Sequence, residues 1–170
     1  MAMRVVLLGS DRKRIMKATG ISADDLDWLE TELAKKLVEL GEVVFIPEGE
    51  PLRIARKCKE LGGKTIAVLP SEDKRYGVSH IQTPDFVDEV EYPRRTWYDL
   101  NAEITMLGDI VVVIGMSPGV LIELAYTKYL RRYGLADPRI YIFKQTITSI
   151  PKELEAEISF RYVESAEEIV

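Results

Sequence analysis

Among its 170 residues the chain has one cysteine, Cys58, one histidine, His80, one asparagine, Asn101, and two glutamines, Gln82 and Gln145. A lone cysteine excludes an internal disulfide, and a lone histidine excludes zinc sites of the Cys/His type, so no metal and no cofactor is expected. Long hydrophobic runs are also missing. The longest, Ile110–Ile114, falls far short of the roughly 18 residues that cross a bilayer. Val5–Leu8 is too short for the apolar stretch of a leader, and no cleavage site follows it. There is no internal repeat, no low-complexity tract and no basic excess: 23 Lys and Arg stand against 28 Asp and Glu, a net charge of −5. That balance opposes a nucleic-acid partner, which usually selects a basic surface. The expectation is one acidic, cytoplasmic domain over residues 1–170, without membrane or nucleic-acid contact. The scarcity of amides beside so many charges follows the trend of hyperthermophile proteins.

What is present alternates. Arg4–Leu8 is a continuously apolar run, as a strand buried on both faces should be. Ser22 is placed to cap a helix from Ala23 to about Leu40, whose leucines at 26, 29, 33, 37 and 40 recur at threes and fours before Gly41. Glu42–Ile46 reads as a strand, Gly49 and Pro51 open a helix to about Leu61, and Lys64–Leu69 is a third strand. Residues 70–93 carry Pro70, Gly77, Pro84 and Pro93 without a clear period, and a loop of this length in a compact domain is often functional. A helix over Arg94–Leu107, a strand over Asp109–Ile114 and a long helix from Pro118 to about Tyr133 are expected next. A strand over Arg139–Phe143, a short helix around Lys152–Ala156, a strand over Phe160–Val163 and a turn from Ser165 complete the pattern. Strands separated by helices predict βαβ units, hence a doubly wound, mostly parallel α/β sheet of the Rossmann-like kind with helices on both faces.

In such sheets ligands bind beyond the carboxyl ends of the strands. Three strand-to-helix turns are therefore candidates: Gly9-Ser10, Gly49-Glu50-Pro51 and Gly115-Met116-Ser117-Pro118-Gly119. In the third, Ser117 is placed to cap, Pro118 to start the helix and Gly119 to let a ligand approach the backbone. Free N–H groups at a helix start bind anions, so a phosphate is expected at Ser117–Val120. Glu123 lies one turn further in, where a carboxylate would repel phosphate. It suits a sugar or a developing cation instead. The plain alternative is a tight turn followed by a solvated or salt-bridged glutamate.

Residues 4–125 resemble the SLOG superfamily, which includes the LOG-type phosphoribohydrolases and the molybdenum-cofactor carrier-like proteins. Four features carry the resemblance: the opening strand with Gly9-Ser10; Gly49 followed by Gly62-Gly63 and the strand to Pro70; Asp109 at the head of its strand; and Gly115–Glu123, in the place of the family's Pro-Gly-Gly-x-Gly-Thr-x-x-Glu. Gly119 and Glu123 match that motif. Gly115, Met116, Ser117 and Val120 depart from it, removing a hydroxyl that Ser117 would have to restore. The family's functional Arg falls on Leu100, beside Asn101, which matches an Asn of related DNA-processing proteins. Arg94 and Arg95 lie upstream on the same expected helix, Arg94 one heptad from Asn101. Either would supply the lost cation, unless both are ordinary surface charges.

The resemblance implies a pocket for a nucleotide-like ligand lined by Gly9, Ser10, Gly49, Asn101 and the Gly115–Val120 turn, with Glu123 and Arg94 or Arg95 as the groups for catalysis. Three functions are weighed: a nucleotide- or phosphate-binding protein, a hydrolase of the N-glycosidic bond of nucleoside 5′-monophosphates or its deoxyribosyltransferase-like variant, and an interaction module with a vestigial pocket. A homodimer through the Pro118–Tyr133 helix is expected, because Leu121, Leu124, Ala125, Tyr126, Tyr129, Leu130 and Tyr133 cover more than one of its faces. The remaining candidates have simpler readings. Cys58 is a small packed residue, His80 a loop residue, and Trp28-Leu29 core. Lys128, Arg131 and Arg132 are cations suited to a helix C-terminus.

Overall fold

The computed structural model describes residues 2–72, 81 and 83–170. Residues 73–80 and 82 of the turn-rich segment, His80 and Gly77 among them, lie outside the described residues. Seven strands form a single parallel sheet: β1 (Arg4–Gly9), β2 (Glu42–Phe45), β3 (Thr65–Pro70), β4 (Glu89–Arg94), β5 (Ile110–Ile114), β6 (Arg139–Phe143) and β7 (Arg161–Val163). Their order is β4-β3-β2-β1-β5-β6-β7, so the chain steps outward from β1 to β4 and then crosses back to lay β5 beside β1. Six helices are described: α1 (Arg12–Thr19), α2 (Ala23–Leu40), α3 (Gly49–Glu60), α4 (Trp97–Glu103), α5 (Pro118–Arg132) and α6 (Lys152–Glu155). The fold is α/β and Rossmann-like, as the alternation predicts.

The central strands are apolar on both faces because both are covered. One face carries Val5, Leu7, Val43, Phe45, Val112 and Ile114 against Leu29, Leu33 and Leu37 of α2 and Ile54 of α3. The other carries Val6, Leu8, Val44, Val111 and Val113 against Leu100 of α4 and Val120 and Leu124 of α5. Asp109 ties two strands together. Its carboxylate accepts the Arg4 N–H at 2.9 Å and so holds the first residue of β1 to the head of β5.

The structure departs from the sequence reading in three places. Arg94–Leu107 is not one helix. Arg94 ends β4, Thr96 caps the short α4, and Ile104–Leu107 continues as a 3₁₀ turn. The mixed, polar Glu-Val-Glu-Tyr-Pro-Arg of β4 reads poorly as a strand because β4 is an edge strand, the place where a proline is tolerated. Second, α1 has no counterpart in the periodicity. Only Ile15 of its eight residues is buried, and its ends are set by the Asp11 cap, which accepts from the Arg14 N–H, and by left-handed Gly20. Third, Trp28 is 62% exposed. It projects from the side of α2 opposite the leucine stripe, and only Leu29 of the pair is core.

Candidate functional site

The crossing between β1 and β5 splays the chain at the carboxyl ends of the strands, and a cleft of about 400 Å³ opens there. Its floor is the end of β1 with Gly9 and Ser10. Its walls are the first turns of α1, α3, α4 and α5.

Backbone demands at the three turns explain their glycines. Gly49 has φ +61°, and a Cβ there would stand 2.9 Å from the Ser10 carbonyl oxygen. The bare backbone lets the Glu50 N–H donate to that same oxygen at 3.0 Å, tying α3 to the β1–α1 turn. Gly115 has φ +126°, and a Cβ would press to 2.6 Å from Ser10 Oγ and 2.9 Å from Ile15 Cδ1. Gly119 is different: the one atom near its missing Cβ is Ser117 Oγ at 3.7 Å, so its surface is open.

The donors at α5 are fewer than a helix start offers in general. Ser117 Oγ accepts the Val120 N–H at 3.2 Å, the Ser117 carbonyl accepts the Leu121 N–H, and Pro118 has no N–H. Among the described residues that leaves the Gly119 N–H as the open donor of the first turn. Beside it Ser10 is 7% exposed, and its Oγ has no hydrogen-bond partner among the described residues. A buried hydroxyl without a partner is costly, so a ligand that satisfied it would gain from doing so.

Glu123 also faces the cleft and is 6% exposed. Burial, reinforced by the Glu48 carboxylate, pushes its carboxyl up to about 8. At neutral pH it is mostly the neutral acid, able to donate as well as accept. Asp11 and Glu48 add two acidic groups to the lining, and Arg14 adds a guanidinium that is half exposed and 3.8 Å from Asp11.

Of the residues singled out from the sequence, Gly9, Ser10, Gly49, Asn101, Ser117, Gly119, Val120 and Glu123 line this one cleft. Gly115 and Met116 do not. Gly115 lies behind Ser10, and Met116 packs on the apolar cluster beneath the sheet. Arg94 and Arg95 also lie off the lining. The Arg94 guanidinium pairs with Glu103 and donates to the Pro93 carbonyl, and Arg95 pairs with Glu72 at 2.8 Å. Arg94 and Asn101 share no helix, because Arg94 belongs to β4. Leu100, where the family pattern has its Arg, is fully buried core. Among the described residues the cation on the cleft lining is Arg14, on the helix the periodicity does not reveal. Trp97, Tyr98 and Glu48 are further lining residues that no motif flagged. The usable clue to Arg14 is the sequence Gly9-Ser10-Asp11, a glycine turn followed by a capping residue three positions before an arginine. Cys58 is fully buried, with its Sγ 3.8 Å from the Ala34 carbonyl and its thiol pushed up to about 12 by burial, as a packed residue should be.

Beneath the α3 wall lies a buried ionic cluster. Glu30 of α2 and Glu50 of α3 are both 0% exposed. Glu30 holds Arg12 at 3.0 Å, Arg53 at 2.8 Å and Lys57 at 3.1 Å. The same two arginines stay 3.9 and 3.6 Å from Glu50. Burial and the neighbouring Glu30 raise the Glu50 carboxyl well above its usual range, whereas Glu30 is held low by the Glu50 hydrogen bond and its basic partners against the cost of burial. Burial thus drives Glu50, rather than Glu30, toward the neutral acid, and both arginines stand closer to Glu30 than to Glu50.

No protein-family model matches the chain, and no curated protein matches it in sequence. In fold it is similar to solved structures. The molybdenum cofactor carrier protein from Chlamydomonas reinhardtii matches with a TM-score of 0.67 over 98% of this chain and 92% of that one, at 18% identity. The molybdenum cofactor binding protein from the phototrophic bacterium Rippkaea orientalis matches at 0.66 over 98% and 92%, with 15% identity. The structural genomics target TM1055 matches at 0.67 over 99% and 95%, with 16% identity. At such identities the likeness is one of fold.

Proposed function

We propose that the chain is a SLOG-type binding protein that holds a small phosphorylated ligand of the nucleotide kind in the β1–β5 cleft. The observation that carries this is the meeting of three groups in one cleft: the open Gly119 N–H, the unpartnered Ser10 hydroxyl and the Arg14 guanidinium. Together they offer an anion a helix terminus, a buried hydroxyl and a fork-shaped cation. Two proteins of like fold are described as carrying or binding a cofactor, which supports holding over turnover. Calorimetry with nucleoside 5′-monophosphates, ribose 5-phosphate and inorganic phosphate tests it. Binding is expected, weakened about tenfold or ~1.4 kcal/mol by Arg14→Ala. Absence of binding by every one of these compounds refutes it.

A second reading is favoured by Glu123. A buried neutral carboxyl facing a cleft is suited to protonate the leaving base in N-glycosidic cleavage, or in a deoxyribosyltransferase-like transfer. Release of free base and ribose 5-phosphate from a monophosphate, lost in Glu123→Gln, would establish turnover. Intact substrate after prolonged incubation would restrict the chain to binding.

The exposed stripe Ile122, Tyr126 and Tyr129 on α5, continued by Tyr133 at its C-cap, supports association of two copies. These positions recur at fours and threes, the spacing of a helix–helix seam.

A further inference from the structure

We propose that Arg12 is a positioning residue for the anion site and that the buried Glu30–Glu50 pair is the latch that holds it: the charge on that pair fixes α1, and α1 with the turn before it presents Arg14 and Ser10 to the cleft. This rests on the phosphate reading above and adds to it the regulation of the same site by proton release.

Apolar packing does little to place α1. A helix of eight residues does not persist by itself in water, and Ile15 is the one buried side chain of this one. Arg12 supplies a second attachment. Its guanidinium donates to the Ala23 carbonyl at 2.7 Å, to Asp27 at 2.6 Å and to Glu30 at 3.0 Å, all on α2. Two residues along an α-helix are turned by about 200°, so Arg12 faces α2 while Arg14 faces the opposite side, where it lines the cleft. A shift of Arg12 therefore carries Arg14 with it, and the Ser10 turn one step before the helix.

Glu50 decides where Arg12 is drawn. Its carboxyl lies 3.9 Å from Arg12 and 3.6 Å from Arg53, and among the described residues no N–H or hydroxyl donates to either of its oxygens. Its backbone N–H is bonded to the Ser10 carbonyl, so this residue meets the entry of α1 by main chain and its first turn by charge. Among the described residues the charged groups facing it are Arg12 of α1, Asp27 and Glu30 of α2, and Arg53 and Lys57 of α3 itself. The strands beneath α3 present the apolar Leu7, Val43 and Phe45. Asp11 and Glu48 belong to the cleft side, where Asp11 accepts the Arg14 N–H. While Glu50 is neutral, both arginines serve Glu30. Once it loses its proton, a second buried carboxylate competes for Arg12, because a buried charge without a partner is costly. Burial and Glu30 raise the Glu50 carboxyl well above its usual range, which places this event on the alkaline side. An anion in the cleft favours the state with α1 in place, and by linkage it strengthens the hold on that proton.

The experiment uses the full chain. Glu123 titrates in the cleft itself, so Glu123→Gln serves as the reference, and Glu50→Gln or Arg12→Gln is added to it. Amide shifts are followed by NMR from pH 7 to pH 9.5, beside calorimetry with ribose 5-phosphate, whose second phosphate pKa of about 6 keeps its charge steady over that range. In the reference the amides of Lys13, Arg14 and Lys17 should move together with one alkaline midpoint. Ribose 5-phosphate affinity should fall about fivefold or more through the same midpoint. Glu50→Gln should abolish both changes. Arg12→Gln should bind weakly already at pH 7, and its α1 amides should no longer follow the pH. The latch is overturned by α1 shifts that stay flat in the reference, by the same titration persisting in Glu50→Gln, or by Arg12→Gln leaving α1 and its titration as they were. An α1 titration without any change in ribose 5-phosphate affinity overturns the positioning role. Absence of ribose 5-phosphate binding in every chain counts against the phosphate reading, and the α1 shifts still decide the latch.

Discussion

At the scale of residues, the same amino acid has opposite meanings at neighbouring positions. Gly115 sits at positive φ against Ser10 and Ile15, whereas Gly119 has open space where a side chain would go. Gly115→Ala is expected to cost about 1–3 kcal/mol in urea unfolding, from crowding and backbone strain. Gly119→Ala, inside a helix, should leave stability unchanged or raise it by up to about 1 kcal/mol. Glu123 makes a second residue-level prediction. Its folded carboxyl is raised to about 8, above the ordinary unfolded value, so the native state binds the extra proton. Its contribution is full below about pH 4 and is lost as pH rises through about 8. Glu123→Gln cannot titrate, so at pH 9 its melting midpoint should exceed the wild type's by about 3 °C or more, with little difference at pH 5. Equal pH profiles would show that Glu123 is solvated in solution.

At the scale of elements, α3 shows how a helix start becomes a wall of the cleft. Gly49 permits the close approach to Ser10, and the buried Glu50–Glu30 pair lies behind it. The groups around that pair are Arg12 of α1, Asp27 of α2, and Arg53 and Lys57 of α3. Glu30 is lowered, so its share of stability is present above the unfolded value and lost in acid. Glu50 is raised, so its share is lost as pH rises from the unfolded value through the raised one. Glu50→Gln keeps a donor to Glu30 and should flatten the alkaline loss while leaving the acid loss in place, as read from denaturant midpoints between pH 3 and pH 10. Elements were legible in the sequence where burial was strong. The stripe of α2, the apolar runs of β1 and β5 and the Ser117-Pro118 start of α5 carry their own signatures. α1 and β4 do not, because one buried residue and a polar edge strand leave no period to read.

At the scale of the whole molecule, charge is arranged in networks. Arg4 joins Glu42 and Glu91, and Lys64 joins Glu42 and Glu89, across the amino ends of four neighbouring strands. Isolated surface pairs contribute little, but networks hold better as temperature rises because the cost of dehydrating charges falls. With so few amides in the chain, a melting midpoint above the ~45–65 °C of mesophile domains is expected by calorimetry. The tyrosine stripe of α5 makes the second prediction. Light scattering at micromolar concentration should give twice the chain mass, and Tyr129→Glu should halve it without moving the far-UV spectrum. A monomer in the wild type would leave the stripe without a second copy.

The sequence by itself determined the α/β class, six of the seven strands to within a residue or two, and most of the cleft lining, because these follow from local patterns: apolar runs, capping residues and glycines at strand ends. Where the chain crosses itself is not local. Placing β5 beside β1 opened the cleft, gathered Ser10, Gly49, Gly119 and Glu123 around it, and put Leu100 into the core. The same packing decided the charges. Arg94 and Arg95 found carboxylates of their own, while Arg14, on a helix without a visible period, reached the site. Ionisation likewise belongs to the tertiary structure. Glu123 and Glu50 are ordinary glutamates in the chain, and burial, reinforced by a neighbouring carboxylate (Glu48 and Glu30 respectively), turns them toward the neutral acid by removing the water that stabilises a carboxylate.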